Sequence, residues 1–75
     1  MNEHHQPKYR VVRADGSPLP DGEPYFVLRG QDRLAAAVLA FYIHKLEENG
    51  LTEMARRVTE HLAAFEAWPI QKLPD

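Results

Sequence analysis

The chain predicts an α+β domain in which a β-hairpin is followed by an antiparallel helical hairpin (ββαα), assembled as a homo-oligomer. Three observations carry that prediction. Two short stretches rich in β-branched and aromatic residues, Lys8–Ala14 (KYRVVRA) and Pro24–Arg29 (PYFVLR), flank a loop of turn-forming residues. Two longer stretches with helical spacing follow, joined by the short connection Gly50–Thr52. The first of these contains Leu34–Ile43 (LAAAVLAFYI), which shows no polar residue on any side. A surface helix of a small protein should offer water a polar face, so a second copy of the chain is the simplest cover for this one.

Residues 1–7 read as a flexible N-terminal arm, polar and closed by Pro7, and residues 8–75 as a single domain. In the first strand Tyr9, Val11 and Arg13 alternate with Arg10, Val12 and Ala14. Asp15-Gly16 is a strong turn signal that Pro18, Pro20 and Asp21-Gly22 extend into a longer loop. The second strand starts on Pro24, a position a strand tolerates. Gly30 ends it, and Asp32 is placed to cap a helix running from about Arg33 to Asn49. Gly50 stands where a left-handed C-terminal cap is expected, and Thr52 where a second cap belongs. In the second helix Met54, Val58, Leu62 and Phe65 form one stripe, with Ala55 and His61 at its edges. Trp68-Pro69 stops that helix and leaves an extended C-terminal tail.

Because a two-stranded sheet is marginal alone, the helices must support it, and the apolar supply exceeds what they can cover. Leu34, Ala37 and Phe41 point away from a stripe of Val38, Tyr42 and Leu46, so Leu34, Ala37, Phe41 and Tyr42 are the expected oligomer interface. Size argues the same way. A 75-residue chain buries only about 60% of its unfolded surface, and small domains then lean on disulfides, metals or association. Cysteine is absent, which removes disulfides and thiolate zinc sites.

Composition narrows the function. The net charge is −2 and acids alternate with bases, so nucleic-acid binding driven by counterion release gains no support. The start is polar with no apolar signal segment, and the apolar run is half of the roughly 20 residues a membrane span needs. A soluble cytoplasmic protein without cofactor is expected. Ser17, the only serine, lies in a Gly-Ser-Pro turn. Adjacent helical residues such as Glu60 and His61 diverge. Neither arrangement builds an enzyme. His44 and Glu48 lie one turn apart, but no third ligand joins them, so no metal site is expected.

The strand-to-helix junction Arg29-Gly30-Gln31-Asp32-Arg33 is the leading candidate site. Free amides and the positive end of a helix dipole favour anions. Arg29 and Arg33 flank the junction, Arg10 and Arg13 reach it from the neighbouring strand, Gln31 adds a polar contact, and Tyr9 or Tyr25 offers a stacking surface beside the guanidinium groups. The alternative has Asp32 filling the cap itself, the arginines pairing with surface acids such as Glu23, and the tyrosines meeting as cross-strand neighbours.

Two passages, Tyr25–Ala35 (YFVLRGQDRLA) and Ala67–Asp75 (AWPIQKLPD), resemble short uncharacterised accessory proteins of bacteria and their phages. In those proteins an F-V-L-R-x-x-D junction leads into two helices that end in W-P. The resemblance spans roughly residues 24 to 75 and implies a small cytoplasmic protein that acts by binding, as an inhibitor or as a sequesterer of signalling molecules. It assigns no site residue. Two functions are therefore expected in competition. One is an oligomeric, non-enzymatic binding module that captures a small anionic ligand such as a nucleotide signal. The other is an adaptor or inhibitor that docks a larger protein through the apolar face of helix one.

Overall fold

A computed structural model describes residues 9–73; the expected arm, His4 and His5 lie outside them. Two helices, α1 (Ala35–Glu48) and α2 (Thr52–Ala67), pack as a helical hairpin. The described residues contain no sheet, only two isolated bridges, Val12 with Pro18 (antiparallel) and Asp32 with Lys72 (parallel). The ββαα expectation is therefore corrected to a helical hairpin with irregular flanks.

The turn signal at Asp15-Gly16 explains the missing hairpin. It acts more locally than its sequence context suggests. The Gly16 amide donates to the Arg13 carbonyl (2.9 Å), and the Arg13 amide donates to the Ser17 carbonyl (2.9 Å). Gly16 itself takes a positive φ of 89°, the left-handed conformation that closes a three-residue loop with a bulge. The Asp15 carboxylate accepts from both the Ser17 amide (2.9 Å) and the Ser17 hydroxyl (2.7 Å). Arg13 Nη1 donates to the Pro18 carbonyl at 2.7 Å. The first strand thus folds back on residues 17–18 and spends its pairing there. Pro18 and Pro20 have no amide to carry a ladder onward. A second turn, Pro20 to Glu23 (3.2 Å), has Gly22 at φ 79° and separates this small loop from residues 24–29.

The Ser17 bonds hold the Asp15 carboxyl below its ordinary value, the side-chain bond contributing most. A lowered folded-state value means that the turn's contribution is present above the ordinary aspartate range and is lost as pH falls through the lowered value. Ser17→Ala is expected to move the Asp15 midpoint upward in a carboxyl NMR titration. An unchanged midpoint would show that the hydroxyl does not hold the carboxylate.

Helix ends follow the sequence more closely. The Gly50 amide donates to the Glu47 carbonyl (3.0 Å) and the Leu51 amide to the Leu46 carbonyl (2.9 Å). With Gly50 at φ 74°, this is the paired-bond termination that a glycine after a helix permits. The start of α1 lies two residues later than expected. Asp32 Oδ1 accepts from the Leu34 amide at 2.8 Å, so it closes a turn before the helix rather than capping it. Leu34 occupies the cap position with no side-chain bond, and Leu51 does so for α2, where Thr52 is already helical. Trp68, preceding Pro69, is extended (φ −67°, ψ 126°), as the proline ring demands.

The core lies between the helices and is minimal. Ala35 (0% exposed), Ala55 (3%) and Leu46 (5%) are its only fully buried members among the described residues. Leu28, Leu39, Ile43, Val58, Leu62 and Phe65 are half-buried around them. Small alanines at Ala35 and Ala55 suit close approach of two helices. The outer face of α2 is polar, with Arg56 bridging Glu53 and, at 2.6 Å, Glu60. These carboxylates raise the arginine's already high value. No helix is long and apolar enough to cross a membrane among the described residues.

Candidate functional site

Gly30 and the C-terminal tail build the surroundings of the junction. The tail returns past residues 31–33: the Lys72 amide donates to the Gln31 carbonyl and the Arg33 amide to the Lys72 carbonyl, both at 2.8 Å. Trp68 lies over Gly30, where a β-carbon would stand 3.4 Å from the indole Cγ. The Gln71 amide group donates to the carbonyls of Gly30 (2.8 Å), Trp68 (3.1 Å) and Phe65 (3.2 Å). One side chain thus ties the end of α2, the tail and the junction together. Trp68, at the start of the tail, thereby packs on the junction at Gly30.

Beside this tie lies an open, mainly apolar depression of about 330 Å³, lined by Arg29, Gly30, Gln31, Ala64, Phe65 and Trp68. Of the expected ligand residues it includes only Arg29 and Gln31. Sequence reasoning missed Ala64 and Phe65 as its wall. The available signal was the stripe of α2 running into Trp-Pro opposite a glycine.

The remaining candidates divide. Tyr9, Tyr25 and Arg29 come together: Arg29 Nη1 donates to the Tyr9 hydroxyl (2.7 Å), and the Tyr25 hydroxyl donates to the Tyr9 carbonyl (3.2 Å). The Arg29 guanidinium also sits 5.6 Å from the Tyr9 ring centre, within cation–π range. This clamp holds residue 9 against residues 25–29. Arg13 is drawn away into its own turn. Arg10 and Arg33 are exposed and form no ion pair with the described residues. The amides of Arg33, Leu34 and Ala35 are already bonded to Lys72, Asp32 and Asp32 respectively. An incoming anion would have to displace these partners. The arrangement is therefore a structural clasp with one cation at its edge, not a convergence of arginines.

The helix face expected at an interface is open. Phe41 is 65% exposed and Leu34 and Val38 are 51% exposed, with Ala37 and Tyr42 beside them. One assignment changes: Val38 belongs to this open stripe, whereas Leu46, placed with it from spacing, is buried against α2. Lys45 continues the stripe, its ammonium 5.9 Å from the Phe41 ring centre. His44 and Lys45 both pair with Glu48 (2.9 and 3.0 Å). No set of three metal-ligating side chains gathers among the described residues. No protein-family model, curated protein or solved structure matches the chain.

Proposed function

We propose that the protein is a non-enzymatic interaction module that docks a partner protein through the apolar face of α1. One observation carries this reading: Leu34, Val38 and Phe41 stay open on a helix whose opposite side is already packed on α2. Their spacing of i, i+4 and i+7 is that of the anchors by which an amphipathic helix enters an apolar groove. A contiguous exposed apolar patch rimmed by polar residues is the kind of surface that marks an interaction site. Capture of a small anion is the weaker reading, because Arg13 and Arg29 serve contacts within the chain and the first amides of the junction are bonded.

The test uses the isolated protein and an environment-sensitive anilinonaphthalene dye. Wild type is expected to enhance its fluorescence, and Val38→Asp with Phe41→Asp to lose most of that enhancement. Because both positions face solvent, the helical circular dichroism should persist and stability should shift by only about 0.5 kcal/mol. A wild-type protein silent toward the dye, or a variant as bright as wild type, would sink this reading.

A further inference from the structure

From Glu23 to Arg29 the backbone runs without a turn, bend or bridge. Its central side chains, Tyr25, Phe26, Val27 and Leu28, are mostly of types that favour a pleated strand. At one end the Glu23 amide donates to the Pro20 carbonyl, and at the other the Arg29 carbonyl accepts from the Asp32 amide. Between those bonds, the amides of residues 25–29 and the carbonyls of residues 23–28 have no hydrogen-bond partner among the described residues. Main-chain groups must be paired or hydrated, and a row of them on strand-like sequence is a template for another chain. The row is also held in place. Tyr25 and Arg29, on one side of the alternation, are clasped to Tyr9. On the other side Leu28 is half-buried while Phe26 is 86% exposed, the most open large apolar side chain described.

We propose that residues 23–29 pair antiparallel with the same residues of a second copy, about a twofold axis at Phe26. Three features of the segment set this register. Pro24 has no amide and must fall at a non-hydrogen-bonded position. Alternation then places Phe26 and Leu28 at such positions too, and Tyr25 and Val27 at hydrogen-bonded ones. With the axis at Phe26, Tyr25 of each copy faces Val27 of the other and exchanges both main-chain bonds with it. Glu23 faces Arg29 on both sides of the axis, so opposite charges meet directly across the strands. At that outer pair the Glu23 amide and Arg29 carbonyl are already engaged, and the Arg29 amide and Glu23 carbonyl, unpaired among the described residues, supply the last bond of the ladder. The two Phe26 rings meet across the narrower type of pair, where α-carbons approach to about 4.5 Å.

A second copy fits this edge better than an unrelated peptide because the segment complements itself in backbone, charge and side chain under one symmetry operation. The α1 face takes no part in this pairing and stays available on both copies.

The chain has no native cysteine, so a single one reports its own neighbours. The full chain carrying Phe26→Cys is expected to convert under mild oxidation to a disulfide-linked dimer of twice 8.6 kDa, since the twofold pair brings the α-carbons within disulfide reach. His44→Cys, exposed on α1, should stay monomeric under the same conditions. Adding Val27→Pro to Phe26→Cys removes an amide needed only between copies, and should abolish the cross-link without loss of helical signal. Cross-linking of Phe26→Cys no faster than that of His44→Cys overturns the proposal, as does cross-linking that survives Val27→Pro. Preferential cross-linking of Phe41→Cys also overturns it, and would move the axis to α1. The dye measurement reads the α1 face separately, so each idea can fail alone.

Discussion

Leu46→Ala is expected to destabilise the protein more than any other single truncation, by about 2–5 kcal/mol. Leu46 is the only large side chain among the buried described residues, the other two being Ala35 and Ala55, so its truncation removes most of the apolar volume held there. Its carbonyl also receives the Leu51 amide that closes α1, so loosening the last turn disturbs the link to α2. A domain of this size has few kcal/mol to lose. Urea denaturation followed by circular dichroism should show a large fall in midpoint, or no folded baseline at all. A fall under about 1 kcal/mol would mean that the helices pack differently around this residue.

Ala55→Leu should come second, by about 1–3 kcal/mol, for the opposite reason. Ala55 is 3% exposed, where the two helices come close, and a larger side chain forces them apart. The strain has a local amplifier: the Ala55 carbonyl already accepts from the Thr59 hydroxyl at 2.7 Å, which ties this turn of α2 down. The same urea experiment checks it, and a variant as stable as wild type would show that the hairpin opens without cost. Under the proposed pairing of residues 23–29 two copies associate only in the native state, so both midpoints should rise with protein concentration.

The helical half was legible because its signals are local. An apolar stripe at helical spacing, a glycine at the end of α1 and a Trp-Pro at the end of α2 each decide structure within a few residues. The flanks were less legible. Asp15-Gly16 correctly marked a turn, but nothing in the sequence said that its arms would close on residues 12 and 18 instead of on the later strand. Two prolines decided that by withholding amides. The arginines illustrate a second limit. Arg10, Arg13, Arg29 and Arg33 look convergent only if the hairpin exists to align them. Once it is absent, Arg13 serves its own turn, Arg29 serves Tyr9, and the site disperses. The open face of α1 was readable in advance because the excess of apolar residues there does not depend on how the flanks fold. Assigning Val38 to it required knowing the helix's rotation against α2.

The Gln71 tie carries a consequence for the order in which the chain assembles. The α1–α2 hairpin closes through neighbours in sequence, which form early and fast. The bond from Gln71 to Gly30 spans 41 positions and encloses the whole hairpin, so its loop-closure entropy is repaid only after the helices stand. During synthesis the junction must wait for Gln71 to leave the ribosome. Until then Gly30 is not tied to the end of α2, and the tail acts as the latch that finishes the fold.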